Sequence, residues 1–251
     1  MGRAVRKPAD GRSAATQSAA TSSWLKRLWP LLVLAIGFAL FMALRLDRYV
    51  SFTALKEHRA LLLDLVARHR VAMAVAFVAT YTLCVTFSLP ISIVITITAG
   101  FLFGQILGSI LVIIGATAGA TGVFLAARTA IGDSLRRRAG PWLKKMEAGF
   151  KENAVSYLLV LRLIPIFPFF AVNLVPAVLG MSLRDFVLAT FIGIIPGSFV
   201  FTAVGVGLGS VFDAGEEFRV ANVLTPKVIL ALAGLACLAL LPVVYKKLKR
   251  R

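Results

Sequence analysis

The chain has 251 residues, of which 59% are hydrophobic, with a mean hydropathy of +0.88 and a formal net charge of +17. So apolar a composition excludes a soluble globular domain, because several runs approach or exceed the ~20 residues that cross a bilayer. The basic balance, with a pI of about 10.9, therefore reads as membrane flanks and anionic-lipid contacts, with no nucleic-acid partner.

Residues 1–23 are rich in Ser, Ala and Thr with scattered Arg and Lys, which predicts a disordered basic tail. An amphipathic targeting peptide has the same composition and is the alternative. Trp24 and Trp29 bracket Lys26 and Arg27 and mark an interface. A first span begins at Trp29 and runs to Leu44, and Arg45 and Arg48 snorkel beyond it. Residues 24–70 thus hold an uncleaved anchor followed by an amphipathic interfacial helix over Phe52–Arg70. On that helix Leu55, Leu62, Leu65 and Val66 share a face away from Lys56, Arg59 and Arg68. His58 and His69 read as solvated interfacial groups, and no metal site is expected. Cys84 and Cys237, both inside apolar runs, read as buried free thiols.

Residues 71–104 are too many for one span and have no polar loop to divide them. They form either a span with a half-helix or a re-entrant hairpin hinged near Ser88-Leu89-Pro90, closing on Gly100 and Gly104. Residues 105–127 read as a clean span that Arg128 ends, with Gly115 and Gly119 allowing close helix contact. The main polar loop, 128–153, carries seven Lys/Arg against three acids. Pro141 suits the start of a surface helix there, with Leu143, Met146 and Phe150 on one face.

The stretch 158–180, LLVLRLIPIFPFFAVNLVPAVLG, combines membrane hydropathy with Arg162, Pro165, Pro168, Asn173 and Pro176. Proline removes a backbone donor and obstructs the preceding turn, and hydrocarbon offers no water to the freed carbonyls. Residues 154–180 therefore read as a second re-entrant segment at a transport site, with Gly180 at its exit. Ser182 and Asp185 cap the next span, 183–206, which Gly193–Gly197 interrupts with a hinge at Pro196. A last span, 226–245, and a tail with five basic residues complete 211–251.

Lys and Arg concentrate in the N-tail, in 128–153 and in the C-tail, whereas 207–225 has only Arg219. The positive-inside rule then places both termini and 128–153 in the cytoplasm if both hairpins are re-entrant. The resulting expectation is an all-α polytopic membrane protein with about four full spans and two re-entrant hairpins. The hairpins enter from opposite sides, each followed by a span, as an inverted repeat over 71–210.

The ordered set Arg162 … Pro165 … Pro168 … Asn173 … Gly180 … Phe186 … Thr190 … Gly193 … Pro196-Gly197 resembles the second half of the DedA / SNARE-associated Golgi protein superfamily, the VTT-domain proteins. Leu89-Pro90 … Ala99-Gly100 … Phe103-Gly104 followed by Arg128 resembles its first half. The resemblance covers roughly 70–210. It implies two facing hairpins and lipid movement: scrambling in eukaryotic members, envelope maintenance and lipid-carrier recycling in bacterial ones. With the short Ala/Arg-rich chain it points to a bacterial inner-membrane protein. Many bacterial relatives carry an acid near the first hairpin; 71–104 has neither Asp nor Glu. Proton coupling would then fall to Asp185 or Asp133.

Burying Arg162 costs about 3 kcal/mol on insertion scales, and its planar fork suits a lipid phosphate. Asn173 and Arg128 are the other candidate phosphate ligands. Pro90, Gly100, Gly104, Pro165, Pro168, Gly180 and Pro196 are the candidate hinges. No nucleotide, zinc-protease, redox or hydrolase motif appears, so neither an enzyme nor a cofactor is expected. The leading reading is a flippase or scramblase for a phosphate-bearing lipid, with anionic and polyprenyl phosphate lipids as candidate partners and homo-oligomerisation compatible. The alternatives are a proton- or ion-coupled transporter of a small solute and a non-transporting envelope scaffold.

Overall fold

A computed structural model describes residues 29–48, 50–138, 153–163 and 169–213, together with Gly234. The expected N-tail, the surface helix around Pro141, Pro165, Pro168, the last span and the C-tail lie outside the described residues.

All regular structure in the described residues is helical. Helix α1 is Trp29–Ala43, α2 Phe52–Glu57, α3 Arg59–Arg68, α4 Arg70–Thr86, α5 Ser92–Phe103 and α6 Gln105–Arg138. Then come α7 Ala154–Leu163, α8 Phe169–Val178 and α9 Leu183–Asp213. The apolar stretches Gln105–Ala130 and Leu183–Gly209, of 26 and 27 residues, are long enough to cross a bilayer. At 1.5 Å per residue they reach about 40 Å. Helices α1, α4, α5 and α7 are apolar but shorter.

The hairpin expected over 71–104 is a pair of antiparallel helices. Phe77 meets Phe103 edge-on at 5.6 Å, and Tyr81 bonds Thr96 at 2.8 Å. The reversal falls at Phe87–Ile91, where Ser88 takes φ +54° two residues before Pro90. Helix α6 then runs parallel to α4. Gly115 packs on Tyr81, Gly119 on Thr82 and Val85, and Gly122 on Thr86. Thr82 and Thr86 donate to the Gly115 and Gly119 carbonyls, each at 3.3 Å. A Cβ at Gly119 would sit 2.6 Å from the Thr82 carbonyl oxygen, so this seam needs the small residues that the sequence suggested.

Helices α6 and α9 are antiparallel: Ser109 bonds Thr202 at 2.7 Å at one end, and Phe124 stacks on Phe186 at the other. Each short helix packs on the long helix of the other half, α5 on α9 and α8 on α6. Each first helix packs on its own long helix, α4 on α6 and α7 on α9. The two halves are alike in detail. Gly104 and Gly180, at the exits of the short helices, have φ of +78° and +72°, a region where glycine alone is unstrained.

Four expectations are revised. The loop expected from Arg128 onward begins later, since helix α6 continues to Arg138, because 128–138 has no proline and is rich in good helix formers. Helix α9 is not interrupted at Gly193–Gly197: it runs unbroken through Pro196, losing only the bond that proline cannot donate. Gly100 lies inside α5, where a Cβ would strike the Thr202 carbonyl, so it serves a helix crossing and not a turn. The amphipathic segment 52–70 is two helices with breaks at His58 and His69. Leu55 and Val66 are its buried residues.

Candidate functional site

Arg162 sits in the last turn of α7, where a cation complements the exposed carbonyl ends. Its Nη2 donates to Asn173 Oδ1 at 2.9 Å and to Thr190 Oγ1 at 2.7 Å. Guanidinium only donates, so the Asn173 oxygen must be the atom facing it. Its Cζ lies 5.5 Å from the centroid of the Phe186 ring, within cation–π range. Asn173, Thr190 and Phe186 are each 0% exposed. Three elements therefore converge on one cation: α7 supplies it, α8 supplies Asn173, and α9 supplies Thr190 and Phe186.

Gly193, one turn beyond Thr190, makes room for the arginine. A Cβ there would lie 3.1 Å from Arg162 Cβ and 3.2 Å from its Cδ. Phe186 in turn stacks on Phe124 of α6 with ring centroids 4.3 Å apart. The aromatic pair carries the site across to the first half.

The partners of Arg162 are neutral, and among the described residues no carboxylate lies within ion-pair distance of it. Its Nε is enclosed and has no hydrogen-bond partner. A buried, unsatisfied donor on a cation whose partners among the described residues are all neutral is a costly arrangement that an incoming anionic oxygen relieves. Chemically the site can orient and hold an oxyanion; it has no nucleophile–base pair. Among the described residues no group of three His, Cys, Asp or Glu could hold a metal.

Of the site residues expected from sequence, the structure brings Arg162 and Asn173 together. Arg128 lies one turn past Phe124 and is exposed. Asp185 belongs to a capping box: its backbone N–H donates to Ser182 Oγ at 3.0 Å, and that hydroxyl donates to its Oδ2 at 2.8 Å. Asp133 lies in α6, and its side chain is outside the described residues. Thr190, Phe186 and Gly193 stand in the sequence pattern without a role, and Phe124 does not stand out there at all. Helical phase places Phe186, Thr190 and Gly193 on one stripe of α9, which is the signal that could have joined them. Nothing local ties Phe124 to them.

These helices and this site define an all-α polytopic membrane protein with a cation held between two short helices, α7 and α8, and the long α9. Residues 89–207, just under half of the chain, match the VTT domain. It is similar to human Transmembrane protein 41B, 32% identical over 129 residues, or 51% of this chain and 42% of the relative. The mouse protein of that name is 31% identical over 124 residues, covering 49% and 40%. The Transmembrane protein 41 homolog of Dictyostelium discoideum is 31% identical over 139 residues, covering 53% and 40%. The chain thus spans less than half the length of these relatives, all of them eukaryotic. No solved structure matches it.

Proposed function

We propose that this protein moves a phosphate-bearing lipid across the bilayer, as a flippase or scramblase without a nucleotide site. The observation that carries the reading is Arg162: a cation on a short apolar helix, held by neutral Asn173 and Thr190, with Nε unpartnered among the described residues. Intramembrane cations are rare and commonly mark a substrate path. The head group would pass along Arg162 while the acyl chains stay in lipid.

The packing directions support two opposed re-entrant hairpins, α4–α5 and α7–α8. Helices α5 and α8, of 12 and 10 residues, reach only about 18 and 15 Å, roughly half the hydrocarbon. With 128–153 on the cytoplasmic side, α4–α5 enters from outside and α7–α8 from inside, and both termini are cytoplasmic. The membrane in this reading is the inner membrane of a bacterium, on the Ala/Arg-rich composition. The lipid is an anionic or polyprenyl phosphate lipid.

The test is reconstitution into liposomes with fluorescent phosphatidylglycerol and dithionite quenching, without nucleotide or gradient. Wild type should expose the inner-leaflet label, and Arg162→Ala should slow it at least tenfold. Equal rates in the two proteins would overturn the reading.

A further inference from the structure

Among the described side chains, two enclosed polar atoms have no hydrogen-bond partner: Arg162 Nε and Thr117 Oγ1 of α6. Thr117 is unusual for its type. Thr86, Thr96, Thr98, Thr121 and Thr202 each return their hydroxyl to the carbonyl four residues back, at 2.7–2.8 Å. Thr117 does not, although it is only 9% exposed. An unsatisfied buried hydroxyl of this kind calls for a ligand or water.

The helix register locates it. Ser109 opposite Thr202 and Phe124 opposite Phe186 fix the antiparallel pairing of α6 and α9. Thr117, midway between Ser109 and Phe124, is then level with Gly193 and Ile194. Gly193 is the residue against which the Arg162 stem packs. Thr117 is two residues from both Gly115 and Gly119, which face α4. It therefore lies on the opposite side of α6 from α4, because two residues turn a helix by about 200°.

We propose that Thr117 is the first half's ligand for the oxyanion held by Arg162, so that one phosphate group is bound jointly by α6 and α7. The proposal rests on the phosphate reading of Arg162 given above. A phosphate oxygen accepts from both the guanidinium Nε and a threonine hydroxyl. Joint binding makes the occupied site a bridge between the halves, so the ligand registers their relative position.

The test uses the purified full chain in detergent with dihexanoylphosphatidylglycerol as probe. Thermal stabilisation by the probe is read by fluorescence, since a ligand bound to the folded state raises the melting temperature. Wild type should be stabilised and Arg162→Gln should not. Thr117→Val keeps the shape and deletes the hydroxyl. It should weaken the apparent affinity about tenfold while leaving the probe-free melting temperature unchanged or higher, because no hydrogen bond is lost. Thr117→Ser should keep the affinity within threefold of wild type. A Thr117→Val affinity within threefold of wild type, or a lowered probe-free melting temperature, overturns the proposal and leaves the Arg162 reading standing. No stabilisation of wild type, or equal stabilisation of Arg162→Gln, overturns both.

Discussion

The rings of Phe124 and Phe186 stack with their centroids 4.3 Å apart and planes 24° from parallel, both completely buried. One belongs to the long helix of the first half and the other to that of the second, and the Arg162 guanidinium lies at the Phe186 ring. The contact fixes how α9 presents Phe186 and Thr190 to the arginine. Phe124→Leu keeps the volume nearly constant but removes the stack. It should cost about 1–3 kcal/mol of stability through the lost pair and imperfect repacking. Its effect on lipid transfer in liposomes should exceed that of Phe212→Leu, which removes the comparable Phe101–Phe212 pair away from Arg162. Equal losses in the two variants would mean that Phe124 acts only through stability.

The repeat sets Tyr81 beside Arg162 as its counterpart. Thr96, fifth in α5, bonds Tyr81; Asn173, fifth in α8, bonds Arg162. Gly115, eleventh in α6, packs on Tyr81; Gly193, eleventh in α9, packs on Arg162. The halves share a frame and differ in charge. Tyr81→Phe removes one hydrogen bond, while Thr96 keeps its bond to the Ser92 carbonyl. The expected cost is about 1 kcal/mol, with transfer rates near wild type. A loss of transfer as large as that of Arg162→Ala would show that the first half carries part of the chemistry through Tyr81.

Much of this was legible in the sequence where one residue type leaves few options. Pro90 between two apolar runs and Ser182 three residues before Asp185 each pointed to the structure that forms, and Arg162 with Asn173 in one apolar stretch pointed to two side chains that meet. The ends of the long helices did not show. The charge of Arg128 suggested a boundary, but the end of an apolar stretch and a helix end are different limits: the apolar stretch of α6 ends at Ala130 and the helix at Arg138. Pro196 suggested a break that α9 absorbs. Gly100 reads as a hinge beside Gly104 because both precede the span. Only the structure separates them: one touches the Thr202 carbonyl, and the other takes positive φ. Thr117 and Phe124 depend on the pairing of α6 with α9, which no local pattern encodes.

Asn173→Asp tests whether the uncompensated charge matters. The carboxylate would replace the amide oxygen that already accepts from Arg162 at 2.9 Å, giving a buried ion pair at nearly unchanged geometry. The fold should persist, since both charges stay paired. The cation would no longer be available to an external anion, so lipid transfer in liposomes should fall at least tenfold with a melting temperature near that of wild type. Undiminished transfer would mean that the positive charge of Arg162 is not what the lipid uses.

Gly193 and Gly197, one turn apart on α9, provide a matched pair of alanine substitutions. Alanine at either site favours the helix by up to about 1 kcal/mol over glycine. At Gly197 the new Cβ meets nothing within 4 Å, so the variant should be as stable as wild type or more so, with unchanged transfer. At Gly193 it would lie 3.1 Å from Arg162 Cβ, 3.2 Å from its Cδ and 3.3 Å from Leu159 Cδ2. The arginine stem must then shift by a few tenths of an ångström, which lengthens the bonds from Nη2 to Asn173 and Thr190. Gly193→Ala should therefore lower transfer severalfold while its melting temperature changes little, and the two quantities are measured on the same purified proteins. If Gly193→Ala matches Gly197→Ala in transfer rate, the position of the Arg162 stem does not limit the activity.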